Sequence, residues 1–501
     1  MASGQALAGG GAGRTESQRV RRLVPVVVAA AAGGGLAAAK LGSTGKPMLV
    51  VLFAAAIVPV LLWKWSEAAV IVLLLIATAI EQFTYTVGTK AGVFTERIPL
   101  FSSFTKGSGV SPVEILLILT LVIWLMKGAL ERRWDLPRSP LARRMVAFLI
   151  LVLVGIGIGF SHGGTFKIAA WGIRPWLYLG AGYVLGATLL RSRSALKGIL
   201  WTMVLGIGFK GLQGVMMWIS VRHINPPPEV ILSHEESFFF GMFIMICLGL
   251  WFFNVPGRLR TVSTILLPAV VLANLANGRR TAWAIIGTAL VAFFAMAYSS
   301  MPERRQVVRR VAAVLLVISA VYLPLFWNKS GTLGEPARAV RSQVDPSSRD
   351  SSSDLYRMQE NANLAFNIRQ TLSLGKGFGT LINYPLPIVD ISKLDPFITF
   401  IPHNSVLDLW MRLGILGMIV FLSLIAAAIF RACELVRNPD RELALLGTLA
   451  VCAIVAYVVL GYNDMGLFWF RVALCLGILL GAVEAALKMV GTGLPARDGA
   501  P

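Results

Sequence analysis

The feature that most constrains this chain is the recurrence of apolar runs along nearly all of its 501 residues. Each run is roughly 16 to 26 residues long, enough to cross a hydrocarbon layer of about 30 Å as a helix. Hydrophobic residues make up 56% of the chain and charged residues 14%, and the mean hydropathy is +0.72. That balance is too apolar for a water-soluble protein of this length. The expected fold class is therefore an all-α polytopic membrane protein. Spans read at 23–39, 47–63, 66–81, 111–127, 143–160, 172–190, 195–220, 236–254, 260–277, 280–299, 310–327, 404–430, 443–461 and 464–488, which makes about 14 transmembrane helices (12–14). The first is rich in Ala and Gly and follows Arg14, Arg19, Arg21 and Arg22, a pattern close to a signal peptide, but further spans come at once.

Lysine and arginine collect in the connectors 127–144, 191–197, 301–310 and 431–441. All four fall on one side if both termini are cytoplasmic. The expected organisation is a basic cytoplasmic tail at 1–22, eleven spans within 23–326, an outer-face loop at 327–403, three spans within 404–488 and a cytoplasmic tail at 489–501. The 81–110 and 221–235 loops share the outer side with 327–403, and so long a polar stretch within a compact protein points to a lid or binding loop. Within it, 342–354 reads as a polar linker, and Leu355, Met358, Ala362, Ala365, Ile368 and Leu372 stand at helical spacing, an amphipathic helix on the outer membrane face. The glycine-rich turn SLGKGFG ends it.

The formal charge of +21 does not imply nucleic acid, because the basic residues lie in short connectors rather than on one polar face. Anionic lipid headgroups are the expected partners of that charge. Cys247, Cys433, Cys452 and Cys475 lie in or beside spans without metal-like spacing, so neither disulfides nor zinc are expected. The chain has no GxxxxGK[ST] loop, HExxH or GxSxG motif. Asp350, Asp354, Asp390 and Asp395 are scattered and read as solvated surface, which favours a metal-independent site.

Three groups of residues carry candidate chemistry. Arg279 and Arg280 occupy the tight outer connector LANGRRTAW, where orientation does not require them. There they either reach for lipid headgroups or form an anion clamp at the positive end of the succeeding helix. His403 precedes a helix that Asn404 or Ser405 can cap, a position that disfavours imidazolium. Lys210, Arg412 and Arg471 lie within spans, where a charge at the centre costs about 2.5–3.5 kcal/mol. Arg412 has Asp408 one turn away, in a stripe with Asn404 that reads as structural. Lys210 and Arg471 show no local counter-ion, which leaves room for an external anion.

Taken in order, NGRRTAW, DLYRMQENANLAF, LSLGKGFG and HNSVLDLWMRLGILG resemble the O-antigen ligase and O-antigen polymerase superfamily of membrane glycosyltransferases, most specifically over 273–425. The resemblance implies a GT-C-like fold in the bacterial inner membrane, with its active site on the periplasmic or exterior face. It implies inverting transfer of a glycan from an undecaprenyl (polyprenyl) diphosphate carrier to an acceptor glycan or lipid, with no cofactor, since the lipid diphosphate is itself a substrate. By position Arg280 matches the family's outer-face arginine, His403 its functional histidine and Arg357 its loop arginine. This chain has Arg279 where the family often has a small hydroxyl residue, so which arginine dominates stays open. The expected catalytic residues are then His403 and Arg280, the expected diphosphate ligands Arg280, Arg279, Lys210, Arg471 and Arg357, and the structural residues Asn404, Asp408 and Arg412. His403 either takes the acceptor proton or hydrogen-bonds the diphosphate. Polymerase and ligase both remain, with a slight preference for the polymerase. A lipid-linked glycan transporter or flippase and a non-catalytic envelope scaffold are the alternatives from other classes.

Overall fold

The structure is a computed structural model that describes residues 58–83, 93–101, 109–132, 134, 136–225, 228, 230–329, 331–390, 397 and 399–491. The expected tail at 1–22, the first expected span and most of the second lie outside the described residues. Among these residues the regular structure is entirely helical. A short segment, Val58–Lys64, is bent by 116° from the first long helix. The helices are α1 Ser66–Ala79, α2 Pro112–Leu130, α3 Pro140–Ser161, α4 Phe166–Leu189, α5 Arg193–Val221, α6 Glu236–Phe252 and α7 Arg258–Ala276. They continue as α8 Arg280–Ser300, α9 Arg305–Phe326, α10 Glu335–Arg341, α11 Ser348–Gln370, α12 Ser405–Val436, α13 Arg441–Asn463 and α14 Phe470–Gly491.

From 66–81 onward every expected span lies on a helix. Nine of the described helices are long and apolar enough to cross a membrane, or ten if the bent pair is one span. The shorter α6, and α4 with Lys167, Arg174 and Pro175 in its first half, occupy two more expected positions. The protein is a multi-pass membrane protein.

Local sequence sets where these helices start. Ser111 and Glu114 close a capping box ahead of α2, with Pro112 in its first turn. Ser139, Ser192 and Asp440 cap α3, α5 and α13 through side-chain oxygens. These contacts satisfy amides that would otherwise face hydrocarbon without partners. At the centre stand α13 and α14, while α9 is the most exposed span. A seam of small residues joins α14 to α4, where a side chain on Gly477 would meet the Leu179 carbonyl at 2.3 Å. Such close backbone approach is how helices gain packing energy in lipid, where apolar burial alone gives little.

One face of the bundle gathers the long loop. Its glycine turn seats between α3 and α12 through backbone hydrogen bonds, from Phe378 N to Gly155 O at 2.9 Å, Lys376 N to Met411 O at 2.7 Å and Gly377 N to Arg412 O at 3.0 Å. The turn needs positive φ at Gly377 (75°), and α12 opens to receive it at Gly414 (φ 63°). Arg412 donates to the carbonyls of Gly377, Thr380 and Phe400 and pairs with Asp408 at 3.1 Å. Its role is to hold the loop.

The loop departs from the sequence expectation at its start. The stretch 348–354 is not linker but the first turns of α11, started by Ser347, whose hydroxyl accepts from Asp350 N at 3.2 Å. Of the apolar stripe, Leu355, Met358 and Leu372 stay exposed, while Ile368 is buried with Leu364 against Ile382 and Met411. The helix also buries polar side chains, with Asn363 and Asn367 bonded to the backbone of Leu386 and Asn383. Asparagine amides that satisfy a neighbouring stretch of irregular backbone offset its desolvation.

The seating of the turn is tight enough to test. A Cβ at Gly159 would stand 1.7 Å from the Phe378 carbonyl oxygen. Gly159→Ala is expected to lower stability by about 1–3 kcal/mol, read as a lower thermal midpoint in detergent.

Candidate functional site

On the loop face the structure forms an open cleft of about 580 Å³, measured out to its mouth. Its walls come from elements far apart in the chain: Val230 and His234 before α6, Gly278 to Thr281 at the start of α8, Arg338 on α10, Asp350, Ser353 and Arg357 on α11, and Asp464 after α13. Four arginines therefore share one cavity.

The connector before α8 is held from two sides. Asn277 accepts from Leu232 N at 2.8 Å and Ile231 N at 3.3 Å, which ties the 230s loop to it. Arg338 donates to the Gly278 carbonyl at 3.1 Å while paired with Glu335 at 2.9 Å. Arg280 extends from this connector and grips the Asp354 carboxylate with two donors, at 2.7 and 3.2 Å, with Asp350 at 3.6 Å from its Nε. The Arg280 side chain is 19% exposed and that of Asp354 is 45% exposed. Arg357, one turn further along α11, has no hydrogen bond or ion pair among the described residues and lines the cleft.

Two histidines stand near this arginine cluster, each on a buried carboxylate. Glu360 meets His403 twice, accepting from its backbone N at 3.0 Å and lying 3.3 Å from Nδ1, with Tyr356 edge-on at 5.6 Å. Burial works against the charged ring, but the hydrogen bond and charge of Glu360, aided by Asp464, hold its pKa above the ordinary value. The expectation that a helix N-terminus keeps His403 neutral is thus corrected, because an opposite charge in direct contact outweighs a partial helix charge. The second pair is His234 Nδ1 and Asp464 Oδ2, at 2.5 Å. Asp464 also accepts from Met465 N at 2.8 Å, and its backbone carbonyl accepts from Ser405 at 3.1 Å. Burial alone would raise its pKa, yet His234, Arg357 and His403 hold it far below the usual carboxylate range, so it is ionised at neutral pH.

The expected site residues thus divide into groups. Arg279, Arg280 and Arg357 come together in the cleft, and His403 lies beside it through Glu360 and Asp464. Asn404 caps α12 by accepting from Leu407 N at 3.0 Å, next to the Asp408–Arg412 pair. Lys210 and Arg471 do not join the cleft. Lys210 is fully buried, paired with Glu81 and donating to Thr95 at 2.9 Å. Arg471 is fully buried on Glu236 at 2.6 Å and Glu235 at 3.1 Å, and donates to the Ala77 carbonyl at 2.8 Å. The expectation of an external anion for either is corrected: other helix ends supply one carboxylate to Lys210 and two to Arg471, where no local spacing reveals them. Paired and hydrogen-bonded, neither is available to an external anion.

The sequence reading missed Arg338, His234, Asp464, Glu360 and the ion-pairing Asp350 and Asp354. A signal existed for the last two: Ser347 with Asp350 three residues later is a helix-start pattern, and it would have put Asp350 and Asp354 on one helix face. No local pattern marks the others.

Fold and site together define a multi-pass helical membrane protein with a basic cleft on its loop face. Residues 264–422 match the family model described as O-antigen ligase. The match runs from α7 into α12 and includes Arg279, Arg280, Arg338, Arg357 and His403, while His234 and Asp464 lie outside it. Comparison with curated proteins gives no match. The resemblance seen in the sequence is borne out over this stretch.

Two measurements test this electrostatic picture. Asp354→Asn releases the Arg280 fork and is expected to tighten binding of inorganic pyrophosphate about fivefold, the upper range for a half-exposed ion pair of ~1 kcal/mol, read by calorimetry. His403 has a folded-state pKa above its ordinary value of 6.5. Its stabilising contribution is therefore complete below that value and lost as pH rises through the higher one, and in His403→Gln this slope disappears from a plot of thermal midpoint against pH.

Proposed function

We propose that the protein transfers a glycan from an undecaprenyl (polyprenyl) diphosphate carrier to a hydroxyl of an acceptor glycan or lipid, with inversion at the anomeric carbon. The loop face is then the periplasmic or exterior side of the bacterial inner membrane. The observation that carries this reading is the Arg280 fork closed on a carboxylate inside an arginine-lined cleft, within the span that matches the O-antigen ligase family. A guanidinium that binds a carboxylate through two parallel donors can bind a phosphate the same way.

In such a transfer the anomeric C–O bond breaks and its electron pair passes to the diphosphate. Preorganised cations at that oxygen stabilise the transition state more than the ground state. Arg280 and Arg357 would meet the diphosphate directly, Arg279 lines the same wall, and Arg338 holds the connector in place. His403, kept toward its charged form by Glu360, fits a hydrogen-bond donor to the diphosphate. The activated carrier supplies the driving force, so neither nucleotide nor metal is needed in this scheme. An acceptor that is another repeat unit makes the enzyme a polymerase, and a finished lipid acceptor makes it a ligase.

The test is transfer by purified protein from a polyprenyl diphosphate glycan donor with EDTA present. Arg280→Ala is expected to lose at least about 10²-fold in kcat, as for removal of one oxyanion donor, and Arg280→Lys to recover only part of it. Undiminished transfer by Arg280→Ala would overturn the assignment, and no transfer by wild type with any donor would overturn the proposed reaction.

A further inference from the structure

We propose that Glu360 is a positioning residue of the transfer: it grips His403 from α11 and commits Nδ1, so that Nε2 is the ring atom that meets substrate; this rests on the transferase reading. A histidine serves a reaction well only when its ring is aimed and the proton on one nitrogen is fixed. The hydrogen bond made by the other nitrogen does both.

His403 is held from several sides. Glu360 Oε1 lies 3.3 Å from Nδ1, Glu360 Oε2 accepts from the His403 backbone N at 3.0 Å, and the Tyr356 ring meets the imidazole edge-on at 83°. A carboxylate oxygen accepts, so Nδ1 is the donor in this contact. Nε2 has no hydrogen-bond partner among the described residues. The His403 side chain keeps 18% of its surface exposed, against 1% for Glu360.

Anchoring the loop does not by itself call for an acid here. The irregular backbone nearby is satisfied by neutral amides of the same helix, Asn363 and Asn367. A fully buried carboxylate is costly unless it meets a cation, and among the described residues the ion-pair partner of Glu360 is His403. Charged and titratable groups around the pair are Tyr356 and Arg357 from α11, Asp464 after α13, Asp408 from α12 and Tyr384 from the loop. Asp464 is engaged by His234 and Asp408 by Arg412, which leaves Glu360 as the acid in direct contact with the His403 ring. Arg357, which lines the cleft, stands one turn before Glu360 on α11. One helix thus carries both a cation of the cleft and the acid that orients the histidine. Glu360 acts through His403 whether Nε2 meets the acceptor hydroxyl or a diphosphate oxygen, and no bond to Glu360 forms or breaks.

The experiment uses the full-length protein and the same polyprenyl diphosphate glycan donor. Glu360→Gln keeps an amide oxygen for the His403 backbone N and removes the charge. It is expected to lower kcat by about 10²-fold or more, the scale of losing a positioned proton-transfer or hydrogen-bonding group, with donor KM within about threefold and partial recovery in Glu360→Asp. A second reading needs no activity. The chain has four histidines, so the His403 ring is identified by NMR of imidazole-labelled protein through its loss in His403→Gln. In wild type it titrates above the ordinary 6.5. In Glu360→Gln its midpoint is expected to fall, because the contact that raises it is gone while the burial that lowers it remains. Near-wild-type kcat or an unmoved His403 midpoint in Glu360→Gln overturns the inference. A wild-type midpoint at or below 6.5 overturns it whether or not the variants fold. These outcomes leave the transferase reading standing, whereas a wild type inactive with every donor removes both.

Discussion

The cleft depends on an arginine placed within a membrane span. Arg412 reaches the carbonyls of Gly377, Thr380 and Phe400 from inside α12 and pairs with Asp408. Irregular backbone at that depth is tolerable only if its polar groups are satisfied by protein, and one guanidinium satisfies several at once. The turn it holds fixes both ends of the loop: α11 on one side, and the approach to His403 and α12 on the other. Because α11 carries Asp350, Asp354, Arg357 and Glu360, seating the turn also sets the charges of the cleft.

Charge pairing across distant segments is the second organising constraint. Glu81 meets Lys210, Glu235 and Glu236 meet Arg471, His234 meets Asp464, and Glu360 meets His403. Removing one member of such a buried pair leaves an uncompensated charge, which costs far more than the intact pair contributes. These pairs therefore lock the loop-face ends of the helices into register. Among them, the His234–Asp464 pair lines the cleft. The same chemistry that staples the bundle thus also orients side chains of the candidate site.

The Arg280 fork is satisfied by a half-exposed carboxylate of α11, Asp354, and Arg357 stands one turn further along the same helix. The exposed apolar stripe of α11, with Leu355 and Met358, lies on the surface of the same helix and can rest against lipid while its polar face keeps the loop together.

The chain's sequence alone determined the class and the positions of the spans from α1 onward, and the resemblance it carries grouped Arg279, Arg280 and Arg357. These are local properties: span length, capping residues, glycine turns and short motifs act within a few residues of one another. The Asp408–Arg412 pair was legible for the same reason, since one helical turn separates its members. Tertiary structure decided which charges were free. Lys210 and Arg471 look unpaired in the sequence because their carboxylates, on Glu81 and on Glu235 and Glu236, come from remote parts of the chain. His403 looks neutral because Glu360 lies on another helix. Ion pairing is set by through-space distance, with an energy that falls as 1/r, and it leaves no periodic trace in a sequence. The roles of the buried charges, Glu360 among them, were therefore visible only once the helices were packed.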